Sequence, residues 1–299
     1  MIISKISDRV YQLDTMALGQ AGTVAVYVIK GAKVTIVDCG YASSYETVLR
    51  GLLELGIKPS DVRYVIPTHV HLDHAGAAGY LLKEMPNAEF IAHEKAVPHL
   101  VDPSRLIESA RGIFGDFIMQ AYGLPVPIDG SRITPVGEEM HLDLGGGLSA
   151  TLVETPGHAP HQISMLLEEQ KVLLTADAVG IVYPNLNTII PTTPPPSFEP
   201  LKLSGSVERL EQMDPKSLLV PHFGLRKDPR NVFETTKEKV EDWLSKVRVM
   251  KSKGMRLDDI AETMRKETET EAGVNDLPIY AQISVRITVM GMLHFLSRS

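Results

Sequence analysis

The 299-residue chain predicts an α+β protein in which two β-sheets pack against each other with helices outside. Two observations carry that expectation. Short segments rich in β-branched and aromatic residues follow one another in two groups, separated by an interruption and interleaved with helical spacing. Beyond Asp228 the character changes, and only helix-like segments remain. A hydrophobic content of 43% and a charged content of 22% provide for a sizeable core.

In the first group, residues 9–13, 23–29 and 33–38 read as strands, with Gly31-Ala32 as the hairpin turn between the last two. Residues 44–55 have helical spacing that sets Leu49, Leu52 and Leu53 on one face. A strand over 62–66 and a helix over 75–85 come next. The segment 97–129 interrupts the strands and carries Leu100, Leu106, Ile107, Ile113, Phe114, Phe117, Ile118 and Met119. It is expected to pack on the domain as a helical insertion, with a lid or a dimer contact over an apolar pocket as the second reading. The second strand group covers 133–136, 148–153, 162–167, 171–175 and 217–221. Residues 231–250, 257–268 and 277–296 form the helical tail, which carries Tyr280, Met290, Met292, His294 and Phe295; its Met and Phe at helical spacing read as core rather than pocket lining.

Between the strand over 62–66 and the helix after it lies Thr68-His69-Val70-His71-Leu72-Asp73-His74. Imidazole and carboxylate are the ligands that zinc, iron and manganese share. His69 and His71 are two apart, so on an extended chain both point to one side. Asp73 and His74 follow at the turn into the helix and face another direction. One segment can therefore serve two metal ions about 3.5–4 Å apart that share a nucleophilic water, as in two-metal hydrolases. Buried without a metal, the run would strand several polar groups at roughly 1–3 kcal/mol each.

Other classes are less well supported. The net charge is −7 and no long Lys/Arg block appears, which argues against nucleic acid as a partner. The single cysteine, Cys39, excludes an intrachain disulfide and reads as a small buried residue. Residues 1–10 alternate charged and apolar types, so no secretory signal is expected there. No run approaches 18 uninterrupted apolar residues, so no membrane span is expected either. A cytoplasmic protein acting on a small molecule is the expectation, with a homodimer left open.

Two ions need further ligands, and His158, Asp177 and His222 each follow directly on an apolar strand beside small or turn-forming residues. With Val-Asp38-Cys-Gly, the histidine run, Thr155-Pro156-Gly157-His158, Ala176-Asp177-Ala178 and Pro221-His222-Phe223-Gly224 in this order, residues 1–223 resemble the metallo-β-lactamase-fold hydrolases. Within them, 155–164 looks most like the glyoxalase II-type branch. The resemblance implies a four-layer αββα sandwich with the site at one edge. It implies His69, His71 and His158 on a first metal, Asp73, His74 and His222 on a second, and Asp177 between the two. Asp38 would support the site without ligating, and His161 would stand behind the ligands. The implied division is a catalytic domain over 1–228, with its insertion at about 97–129, and a helical layer over 229–299.

The activity this implies is hydrolysis by a metal-bridging hydroxide, which would cleave a small ester, thioester, lactone or phosphoester. The cofactors would be two divalent ions, zinc foremost, with iron or manganese as alternatives. Asp73 would hydrogen-bond the nucleophile and accept its proton, and Tyr183 would donate a hydrogen bond to a developing oxyanion. The alternative is a persulfide dioxygenase of the same fold with one non-haem iron. Branches with a cysteine ligand fit poorly because Cys39 lies in the wrong block. The flavodiiron branch has an acidic residue where His71 stands. The absence of a Lys/Arg cluster in the tail weakens glutathione thioesters as substrates.

Overall fold

The computed structural model describes residues 3–184 and 186–298. Seven strands form the first sheet in chain order: β1 (Ile3–Lys5), β2 (Val10–Asp14), β3 (Ala25–Ile29), β4 (Val34–Val37), β5 (Val62–Ile66), β6 (Glu89–His93) and β7 (Ile133–Val136). Pairing is antiparallel from β1 to β4 and parallel from β4 to β7. The change follows the connections, because parallel neighbours need a crossover. α1 (Tyr45–Glu54) joins β4 to β5, and α2 (Leu72–Ala75) and α3 (Ala78–Glu84) join β5 to β6. α4 (Val97–Val101) and α5 (Ser104–Tyr122) lie between β6 and β7.

The second sheet holds β8 (Glu139–Gly145), β9 (Leu148–Glu154), β10 (Ile163–Leu167), β11 (Val172–Leu174), β12 (Ser217–Val220) and β13 (Gly224–Arg226), in the order β13-β12-β11-β10-β9-β8. Its one parallel pair, β11 with β12, is bridged by α6 (Pro200–Gln212). The chain ends in α7 (Pro229–Ser252), α8 (Leu257–Ala272) and α9 (Ile279–Arg298).

Alternation along β3 shows how the layers stack. Ala25, Tyr27 and Ile29 enter the core between the sheets, with Leu152, Ile163 and Met165 opposite. Val26 and Val28 point the other way, into a core closed by Val48 and Leu52 of α1 and Leu81 of α3. On the far side, Val153, Leu166, Leu173 and Leu218 pack on Val207 and Leu210 of α6 and Phe233 of α7. Helix, sheet, sheet and helix give the four-layer sandwich. Each fully buried Leu, Ile or Val in it contributes about 1.5–3 kcal/mol.

Four local expectations are corrected. Leu53 is 59% exposed, and Val48 joins Leu52 as the buried pair of α1, because i and i+4 share a helix face while i and i+1 do not. The helix after the histidine run is two short helices broken at Gly76, where a Cβ would lie 2.2 Å from the Leu72 carbonyl oxygen and 2.9 Å from the Ala42 nitrogen. β7 belongs to the first sheet, paired with β6, and does not open the second. β8, unforeseen, is an edge strand whose residues alternate between exposed and half-buried along most of its length.

The tail helices build a separate core with the segment after Asp177: Tyr183, Ile190 and Phe198 pack with Trp243, Met264 and Val289. By length and composition α9 could cross a membrane. Here Ala281, Val285, Val289 and Met292 fill this core, while Ile283 and Ile287 face a cavity over the site. α5 turns at Gly115 (φ 75°) and packs Ala110, Met119 and Tyr122 on Leu72, leaving Phe117 82% exposed.

Candidate metal centre

All the chemistry-bearing residues sit just past the carboxyl ends of strands, at one edge of the sandwich. Asp38 follows β4, His69 and His71 follow β5, His158 follows β9, Asp177 follows β11 and His222 follows β12. Asp73 and His74 occupy α2. The fold brings all seven sequence-predicted donors together. Among the described residues three groups that could hold a metal emerge, each with its donor atoms within 4.8 Å of one another: His69, His71 and His158; His69, His74 and Asp177; and Asp73, His74 and His222. Asp177 faces both sides, with Oδ2 3.5 Å from His158 Nε2 and 3.6 Å from His74 Nε2, and Oδ1 3.6 Å from His222 Nε2.

The hydrogen bonds behind the rings decide which nitrogen each presents. Asp38, in the left-handed region at φ 62°, accepts the Thr68 amide at 2.7 Å and the Thr68 hydroxyl at 2.8 Å on Oδ1. Its Oδ2 accepts His74 Nδ1–H at 3.0 Å. With its proton on Asp38, the Thr68 hydroxyl accepts His69 Nδ1–H at 3.1 Å. His158 Nδ1–H donates to the Thr192 carbonyl and His222 Nδ1–H to the Thr23 carbonyl, both at 3.0 Å. Four imidazoles thus engage Nδ1–H outward and turn Nε2 inward, the orientation that metal ligation requires.

Inside, the geometry calls for a cation. His71 Nδ1 lies 2.8 Å from His69 Nε2 and 2.9 Å from His158 Nε2, a convergence of lone pairs that at most one proton can serve. His74 Nε2 and Asp177 Oδ1 are buried without any hydrogen-bond partner. Imidazoles with carboxylates are the donor set of divalent zinc, iron or manganese, and the residues present fit such ions.

Charge states divide the donors, with His69, His71 and His158 held neutral and His74 and His222 drawn toward the charged form by the carboxylates. Burial and the neighbouring rings, His158 first, push His71 down to about 3, and burial with the adjoining imidazoles holds His69 well below its ordinary value. Burial also lowers His158. Burial opposes ionisation of Asp73 and Asp177, yet His74 and His222 hold both carboxyls below the usual range. Burial likewise opposes a charge on His74, but Asp73, Asp38 and Asp177 raise it; Asp177 does the same for His222.

His161 belongs to none of the three groups. Its ring lies 6.0 Å from that of His71, and its Nδ1 is buried without a partner. Tyr183 is brought to the edge of the cavity over the site. Its hydroxyl pairs with Ser284 Oγ at 2.9 Å, and Ser284 Oγ donates to the Tyr280 carbonyl at 3.0 Å. In the free protein the Tyr183 proton is therefore engaged with α9. Sequence reasoning missed Thr23 and Thr192 because backbone carbonyls leave no residue-type signal. Thr68, inside the run, was in plain view.

Above the donors lies a cavity of about 470 Å³. Leu106, Ile113 and Phe114 of α5 wall one part, and Tyr280, Ile283 and Ile287 of α9 another, so Tyr280 is a pocket residue and not core alone. His71, Asp73, His158, Asp177 and His222 reach it from the site. The insertion thus both packs on the domain, through Leu72, and faces the cavity.

Known proteins share this fold. The chain is 30% identical over 204 residues to the metallo-beta-lactamase fold-containing protein ST1585 of Sulfurisphaera tokodaii, a match covering 67% of this chain and 72% of that protein. The ST1585 crystal structure superposes with a TM-score of 0.68, covering 91% of this chain and 93% of that one. TTHA1429 of Thermus thermophilus superposes at 0.69 with 21% identity, covering 98% and 95%. Both superpositions speak for the fold alone. The N-acyl homoserine lactonase AttM of Azorhizobium caulinodans is 33% identical over 129 residues, 42% of this chain and 44% of that protein. A family model described as the metallo-beta-lactamase superfamily matches residues 19–222, ending on the last histidine of the cluster. The chain belongs to the metallo-beta-lactamase superfamily.

Proposed function

We propose that the protein is a metal-dependent hydrolase of a small carboxyl ester, thioester or lactone that carries an apolar group. One observation carries this reading: inward-facing Nε2 atoms and two ionised carboxylates converge beneath an apolar cavity. His69, His71 and His158 would hold one ion, Asp73, His74 and His222 a second, and Asp177 would face both. When bound, such ions acidify a water and polarise the carbonyl under attack.

The chain's own groups do the rest. Asp73, its side chain 21% exposed and its carboxyl held ionised by His74 and His222 against burial, accepts a hydrogen bond from the attacking water and orients it. The walls from α5 and α9 exclude bulk water and seat the apolar group. Arg105 is the one Lys or Arg lining the cavity among the described residues, which ranks phosphoesters behind carboxyl substrates. The lactonase relative supports the same order.

The test is metal analysis of native protein, chelation, and re-addition of Zn²⁺, Mn²⁺ or Fe²⁺ against a panel of esters, thioesters, lactones and phosphoesters. Hydrolysis should vanish on chelation and return with metal. Asp177→Ala should abolish it while the circular dichroism spectrum is kept. Full hydrolysis by metal-loaded Asp177→Ala protein would sink the assignment. One iron per chain with oxygen uptake on a persulfide, and no hydrolysis, would replace it with the dioxygenase reading.

A further inference from the structure

Tyr280, Ser284, Thr288 and Gly291 recur along α9 at helical intervals and so share one face. That face lies on the loops of the metal centre. Ser284 holds the Tyr183 hydroxyl. The Thr288 hydroxyl donates to the Pro191 carbonyl, and the Thr288 carbonyl accepts from the Thr193 hydroxyl at 3.0 Å. At Gly291 the helix comes so close that a Cβ would stand 1.5 Å from the Thr193 carbonyl oxygen. Pro191 and Thr193 flank Thr192, whose carbonyl accepts His158 Nδ1–H at 3.0 Å.

We propose that α9 is a working part of the metal centre, in which Thr288 and Gly291 are positioning residues that act on His158 through the Thr192 carbonyl. A loop carbonyl can turn when its peptide plane rotates. This one is held from both sides, because the residue before it and the residue after it are bonded to the same turn of α9. Were it to turn, His158 Nδ1–H would lose its acceptor; the Thr192 hydroxyl, 3.4 Å away, is a poorer substitute. The imidazole could then carry its proton on Nε2, where a metal must bind. The same face of α9 carries Tyr280 and Ser284, which line the substrate cavity, so one helix shapes both the cavity wall and the ligand.

The inference rests on His158 as a metal-holding residue, and it is tested with Thr288→Val and Thr288→Ser. In metal-free protein, imidazole NMR should show a protected Nδ1–H on His158 and, as an internal reference, on His222, whose acceptor is Thr23. Thr288→Val should shift the His158 resonance or speed its exchange and leave His222 unchanged. Its Zn²⁺ affinity, by competition with a chromophoric chelator, should fall about tenfold, and Thr288→Ser should restore both readouts. Wild-type resonance and affinity in Thr288→Val, or equal changes at His158 and His222, would overturn the proposal. Because the resonance is read without metal or substrate, failure of the hydrolase reading leaves this outcome standing, and the reverse holds too.

Discussion

Replacing Asp38 by Asn tests how the site sets its tautomers. Asp38 is 1% exposed and serves Thr68 N–H, Thr68 O–H and His74 Nδ1–H with its two oxygens. Asn has nearly the same shape and tolerates the left-handed backbone at φ 62°, so the backbone does not confound the result. If the amide oxygen stays with Thr68, the amide nitrogen meets His74 Nδ1–H across 3.0 Å, donor against donor. One charge-assisted hydrogen bond is lost, which lowers the stability of the metal-free protein by about 1.5–3 kcal/mol. His74 escapes the clash by giving up Nδ1–H and keeping its proton on Nε2, the buried atom that has no protein partner. A metal must then displace that proton, and its affinity drops about 10–100-fold, with each tenfold step worth about 1.4 kcal/mol. Urea unfolding of the metal-free variant measures the first effect, and Zn²⁺ competition with a count of bound ions measures the second. If Asp38→Asn equals wild type in both, the tautomer argument is wrong.

Two further outcomes are expected. Phe114→Ala should raise KM about tenfold or more for a substrate with an apolar chain and leave kcat near wild type, since the ring lines the cavity and its burial contributes about 1.5–3 kcal/mol of binding shared by ground and transition states. Steady-state kinetics checks this, and a fall in kcat at unchanged KM would contradict it. Chelation should lower the melting temperature, because free metal at 100 times its Kd stabilises the folded state by about 2.7 kcal/mol. Calorimetry with and without Zn²⁺ measures that gap, and coincident melting curves would show that the donors hold no metal.

The sequence disclosed the donors better than the topology that gathers them. Strand ends could be read because apolar alternation stops abruptly before Asp38, His158, Asp177 and His222. Sheet membership could not, since whether residues 133–136 pair with β6 or β9 depends on partners far along the chain. The break falls just after Gly76, where Ala77 N–H leaves the helix ladder for the Gly40 carbonyl at 2.9 Å, a tertiary contact that helical spacing does not register. α9 misled for a related reason. Its apolar residues serve a core on one side and a cavity on the other, so neither Tyr280 nor Thr288 stands out by periodicity.

The chain-order sheet has a consequence for biogenesis. β1 to β7 each pair with a neighbour in sequence, so the first sheet can assemble as it leaves the ribosome, with His69, His71, Asp73 and His74 already in place. His222 and the Thr288 brace emerge far later, on the order of tens of seconds at usual synthesis rates. Through that interval the nascent chain displays an unfinished claw of imidazole and carboxylate, whose affinities follow the general order for divalent metals and favour copper. On the reading that these donors hold metal, the late arrival of His222 and α9 makes metal supply during translation a factor in the yield of active protein.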